Sequence, residues 1–175
     1  MLTNLILTVI SQDKPGIVEA VAQIVAHRGG NWLESRLIHL AGKFAGVVRI
    51  QIEKERQQEL IEALRELRSK HINILIDESE SSPPLESSQI ASFQVVGPDR
   101  PGIVKEISQA FTQYNINVEE LTSRYSSTPY SGEPLFEAEG KLQLLDTVEI
   151  DDLEDRLEEI ADNLAIDISI KLLTP

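Results

Sequence analysis

Apolar residues stand at every second position over Leu5, Leu7 and Val9, the spacing of a half-buried strand. After a Pro-Gly break the spacing changes. Ile17, Val18, Val21, Ile24 and Val25 make a helical stripe, which Gly29-Gly30 end. Trp32 to Leu40 and Phe44 to Ile52 read as two strands, joined by a turn at Ala41-Gly42-Lys43. Leu60, Ile61, Leu64 and Leu67 give a second helical stripe, and Ile72, Ile74 and Ile76 a last strand. The same order then recurs. Phe93 and Val95 mark a strand, and Ile103, Val104, Ile107, Ala110 and Phe111 a helix. Val118 to Tyr125 and Leu135 to Leu145 read as strands, Leu153, Leu157, Ile160 and Leu164 as a helix, and Ile166 to Leu172 as a strand. The order β-α-β-β-α-β, twice over, predicts an α+β chain of two ferredoxin-like domains. Two helices should cover one face of each antiparallel sheet.

The repetition extends to identities. Asp13-Lys14-Pro15-Gly16-Ile17-Val18 returns as Asp99-Arg100-Pro101-Gly102-Ile103-Val104, at an offset of 86 residues. The same offset pairs Val9 with Val95, Val25 with Phe111 and Asn31 with Asn117. A period this long means two similar domains rather than a solenoid. Between the copies lies Ser79-Glu80-Ser81-Ser82-Pro83-Pro84-Leu85-Glu86-Ser87-Ser88-Gln89, too poor in apolar residues to order itself by burial. The expected division is domain 1 over residues 1–80, a linker over 81–89 and domain 2 over 90–175. Fully extended, such a segment reaches at most about 35 Å, which lets two small domains sit side by side.

Composition narrows the chemistry. The chain has 175 residues, 41% hydrophobic but only 5% aromatic, so Ile, Leu, Val and Ala must build the cores. There is no cysteine, which removes disulfides, thiolate metal sites and thiol nucleophiles. The formal net charge of -13 gains nothing from phosphate counterion release, which argues against direct DNA or RNA binding. The charge is uneven. Residues 1–80 hold 10 Lys+Arg against 11 Asp+Glu, and the remaining 6 and 18 fall in residues 81–175. The densest run is Glu149 to Asp162, which should form the outer face of the last helix. That face reads either as a solubilising surface or as a docking surface for a basic partner. No signal peptide or apolar span of about 20 residues is visible, so a soluble cytoplasmic protein is expected.

The Asp-x-Pro-Gly-Ile-Val turns, set in this element order, resemble those of the ACT domain, a small-molecule sensor attached to metabolic enzymes and regulators. Three further segments resemble the glycine cleavage system transcriptional repressor family, which consists of two ACT domains. They are Gly29-Gly30-Asn31-Trp32-Leu33-Glu34-Ser35-Arg36, Leu40-Ala41-Gly42-Lys43-Phe44-Ala45-Gly46 and Ser131-Gly132-Glu133-Pro134-Leu135-Phe136. The resemblance implies a regulator that binds a small amino acid, with glycine suspected, and a DNA-binding activator as protein partner. It also implies that ligands sit at the strand-to-helix turn.

The residues themselves suit that role. A helix start offers backbone N–H groups and partial positive charge to a carboxylate. Gly16 and Gly102 allow close approach. Asp13 and Asp99 could accept hydrogen bonds from an ammonium group, and Asn31 and Asn117 offer both donors and acceptors. The candidate ligand-binding residues are therefore Asp13, Pro15, Gly16, Ile17 and Asn31, with Asp99, Pro101, Gly102, Ile103 and Asn117 as their counterparts. The competing expectation is that each Asp caps its helix and each Pro fills the first turn, with no ligand. Ser11-Gln12 precedes the first turn and Gly97-Pro98 the second, so the two need not share a ligand.

No catalytic residue, metal or cofactor is indicated. His27, His39 and His71 lack metal-ligand spacing. No nucleophile elbow, Gly-rich phosphate loop or Arg-bearing phosphate cradle is seen. Arg36 and Arg124 are expected to pair with nearby acids. A free-standing regulatory subunit of an amino-acid enzyme remains an alternative, as does a small hydrolase. No membrane contact is expected, and a homodimer is allowed.

Overall fold

The computed structural model describes residues 1–78, 88–128 and 132–173. Its contacts divide the chain into two compact units, Met1–Pro83 and Pro84–Pro175. In unit 1, strand β1 (Leu2–Gln12) leads to helix α1 (Ile17–His27), and strands β2 (Asn31–Leu40) and β3 (Lys43–Glu53) form a hairpin. Helix α2 (Gln57–Glu66) and strand β4 (Ile72–Glu78) complete it. Unit 2 runs through β5 (Ser88–Pro98), α3 (Ile103–Gln113), β6 (Asn117–Ser127), β7 (Pro134–Leu145), α4 (Ile150–Leu164) and β8 (Asp167–Leu173). The sheets have strand orders β2-β3-β1-β4 and β6-β7-β5-β8, with every pairing antiparallel. This is the ferredoxin-like α+β architecture, present twice.

The expected linker over 81–89 lies outside the described residues except for its end. Ser88 and Gln89 already belong to β5, because pairing with Leu145 and Leu144 extends that strand backward. Ser131, in one segment of family resemblance, is also outside them.

Each unit buries its own apolar set. In unit 1, Leu5, Leu7 and Val9 of β1 and Val48, Ile50 and Ile52 of β3 meet Val21 and Val25 of α1 and Leu60 and Leu64 of α2. Trp32, the only tryptophan, lies partly buried against this core. In unit 2, Phe93, Val95, Leu142 and Leu144 meet Ile107, Phe111, Leu153 and Leu157. Phe93 and Phe111 stack edge to face, with ring centroids 5.2 Å apart. The helical stripe that includes Leu67 is interrupted. Helix α2 stops at Glu66, and Leu67–Lys70 tighten into a 3-10 turn closed by His71 in the left-handed conformation (φ 60). The acids of α4 are exposed around its buried Leu153, Leu157 and Ile160, as the periodicity predicted.

Both edge strands β2 and β6 carry a bulge at the same place, between Trp32 and Glu34 and between Val118 and Glu120. The hairpins differ. Residues of β7 align with those of β3 at an offset of 92 rather than 86, so the β6–β7 hairpin holds six more residues than the β2–β3 hairpin. No helix among the described residues is long and apolar enough to cross a membrane.

Candidate functional site

The Asp-x-Pro-Gly turns do not cap their helices in the way an Asp N-cap would. Gly16 is the N-cap of α1, with φ 90 and ψ 4, and Gly102 that of α3, with φ 105 and ψ -13. Neither cap makes a side-chain hydrogen bond. Asp13 and Asp99 lie three residues before the cap, and Pro15 and Pro101 just before it, outside the first helical turn. The capping expectation is thereby corrected. A proline followed by a residue at φ near +90° matches the central pair of a type II turn, which calls for glycine at its second position. A Cβ at Gly16 or Gly102 would meet nothing within 4 Å, so the requirement is conformational and the space above each glycine is open. Ile17 and Ile103 open the helices with buried side chains. The first-turn amides that follow have no carbonyl four residues earlier within the helix to which they can donate.

Backbone bonds fix each turn against the neighbouring hairpin. Asp13 N–H donates to the Gly42 carbonyl at 3.0 Å, and Asp99 N–H to the Pro134 carbonyl at 3.0 Å. In unit 1 this brings His39, at the end of β2, beside the turn. Its Nε2 accepts a hydrogen bond from Gly42 N–H at 3.2 Å and lies 3.7 Å from Asp13 Oδ2. Lys14 Nζ donates to the Lys70 carbonyl at 2.7 Å, which ties the turn to the far end of the 3-10 segment. Sequence reading set His39 aside as isolated. The overlooked signal was its place three residues before Gly42 in a two-residue hairpin, which curls the chain back onto the β1–α1 turn. By register, His39 pairs with Phe44 and Tyr125 with Phe136, so a phenol stands in unit 2 where unit 1 has an imidazole.

The two asparagines do not join these turns. Asn31 pairs with Gln51, whereas the Asp13 end of the sheet is marked by the pairing of Gln12 and Leu40 with Lys43. Eight residues of strand separate those positions, about 27 Å. Asn117 is likewise paired with Gln143, while Asp99 follows the Pro98–Leu135 pair. The shared offset placed each Asn correctly in its own unit, but not near the turn. Within one unit, Asp, Pro, Gly and Ile cluster and Asn lies at the opposite end of the sheet.

Arg124 meets Glu137 as expected, with two hydrogen bonds of 2.8 and 2.7 Å. The hydrogen bond from Arg124 holds the Glu137 carboxyl below its ordinary value. Burial opposes this, and a further bond from the Ser126 hydroxyl and the charge of Arg124 assist it. The same pair raises the Arg124 guanidinium. A shallow depression of about 320 Å3 lies beside the pair on the open face of the sheet, and the turn residues are not part of it. Among the described residues, no group of three or more His, Cys, Asp or Glu could hold a metal ion.

Comparison with known proteins bears on what this arrangement is. Models of the ACT domain match residues 3–75 and residues 91–165, one in each unit. The chain belongs to the ACT-domain family. Glycine cleavage system transcriptional repressors of Escherichia coli K12 and Shigella flexneri are each 27% identical over 124 residues. Those matches cover 69% of this tandem ACT chain and 64% of each repressor's length. An uncharacterised protein from Galdieria sulphuraria has the same fold, with TM-score 0.84 and 21% identity over 99% of this chain and 100% of that one. A crystal structure provisionally assigned to a glycine cleavage system transcriptional repressor shares it too. Its TM-score is 0.73 at 17% identity, over 100% of this chain and 99% of that one. The tandem ACT chain is thus related to a transcriptional regulator at the level of sequence.

Proposed function

We propose that this protein is an amino-acid-responsive regulator that acts by contact with a protein partner and catalyses no reaction. The observation that carries the reading is the open space over Gly16 and Gly102, each at a helix start with an aspartate three residues away. First-turn amides suit an α-carboxylate, and the Asp carboxylate suits the α-ammonium group. A small amino acid satisfies both, and kinship with the repressors named above favours glycine. Asp13, Pro15, Gly16 and Ile17 would form one site, and Asp99, Pro101, Gly102 and Ile103 the other. Asn31 and Asn117 could reach the same ligand only if supplied by a different domain. The net charge of -13 favours control through a DNA-binding activator over direct contact with DNA.

Calorimetry with glycine and other small amino acids, alongside thermal melts, tests the sensor. Asp13→Ala or Asp99→Ala should weaken binding by roughly 10-fold or more, the scale of losing one charge-assisted hydrogen bond. Because both carboxylates are exposed, the melts should move little. If millimolar amino acid shifts no wild-type melt, the sensing role fails. For the mechanism, a gel shift at physiological salt should show no retardation of operator DNA by this protein alone. A supershift that appears only with the activator, and is lost at high glycine, is the expected result.

A further inference from the structure

The sheets of the two units have the same topology but differently furnished open faces, the faces turned away from the helices. In unit 1 that face carries Ile6, Ile10, Ile38, Leu40, Val47 and Leu75. Leu75 is 70% exposed, Leu40 67% and Ile38 60%. Register identifies their counterparts in unit 2. Ile6 becomes Ser92, Ile38 Arg124, Leu40 Ser126, Val47 Glu139 and Leu75 Ser169, while Ala45 becomes Glu137. Ile10 keeps an apolar counterpart, Val96. The fold therefore tolerates polar residues at the other positions, and in unit 1 they are apolar. A contiguous exposed apolar patch on an otherwise soluble domain marks an interaction surface.

We propose that the open face of the unit 1 sheet is an interface between two copies of this chain. Charge selects that occupant. The face holds Arg36, Lys43 and Arg49 against Glu34, Glu53 and Asp77, so it is neutral, and residues 1–80 have a net charge of only -1. A basic partner would find its attraction in residues 81–175, whose net charge is -12. A second copy meets least repulsion at unit 1. Size is adequate as well. Four strands about 4.8 Å apart and about 30 Å long present roughly 600 Å2 per copy, against the roughly 500 Å2 a side at which specific interfaces begin.

Light scattering after gel filtration of the full chain at about 100 μM reads the state directly. The expected mass is twice the 19.5 kDa of one chain. Replacing face residues by their unit 2 counterparts, as Ile38→Arg, Val47→Glu and Leu75→Ser, should each raise the dissociation constant by roughly 30-fold or more. Ser169→Leu, on unit 2, should change nothing. Circular dichroism checks folding, and since Ile38 and Leu75 are exposed on different strands, those two variants decide if Val47→Glu unfolds. A monomeric wild type, or a dimer that survives both Ile38→Arg and Leu75→Ser, overturns the interface whatever the outcome of the amino-acid titrations.

Discussion

At Gly16, φ is 90, and at Ala165, the residue that closes α4, φ is 51. Both lie in the left-handed region, where a Cβ costs about 1 kcal/mol or more. Nothing crowds Gly16, so Gly16→Ala should lose about 1 kcal/mol through backbone strain alone. Ala165→Gly should move the other way, by about 0.5 kcal/mol once the entropy of glycine is offset. Denaturant midpoints of the two variants check the signs. The Arg124–Glu137 pair titrates on the acid side. The folded carboxyl is held below its ordinary value, so its contribution is complete above the usual carboxylate range and is lost as pH falls below that range. Arg124→Ala should return the Glu137 carboxyl upward, as read by its NMR titration. Because Arg124 is exposed, the effect on neutral-pH stability should be small. His39 shows where residue-level reading ran out. Its neighbours Asp13 and Gly42 are 26 and 3 residues away in sequence, and only the hairpin brings all three together.

Strands and helices were legible because their apolar spacing also decides burial. Leu5, Leu7 and Val9 point to the helices, and Leu153, Leu157 and Ile160 point to the sheet. What the spacing could not give was which end of a strand meets which turn. The offset between copies located Asn31 and Asn117, yet strand direction sends each to the end remote from its Asp. The 3-10 segment Leu67–Lys70 was hidden for a similar reason, since Leu67 is buried in either helix type. Register also makes a demand at Gly140 that periodicity did not show. A Cβ there would run into the Glu120 carbonyl and the Phe93 ring. Gly140→Ala should therefore cost roughly 2 kcal/mol by forcing β6 and β7 apart, with the loss visible in thermal melts and in exchange of the strand amides. Gly102→Ala, which meets nothing, should cost less.

The chain as a whole places its aromatic chromophores unequally. Trp32 stands alone against the core of unit 1, next to Asn31, and all three tyrosines, at 114, 125 and 130, fall in the second half. Indole emission excited at the red edge thus comes from unit 1. It reports, moreover, from the Asn31 end of the sheet, about 27 Å from Asp13 along the strands. A ligand seated only at the Asp13–Gly16 turn should leave the emission maximum where it is, while one reaching Asn31 should shift it. A single fluorescence titration with glycine can therefore locate the ligand along the sheet, without a label and without a mutation.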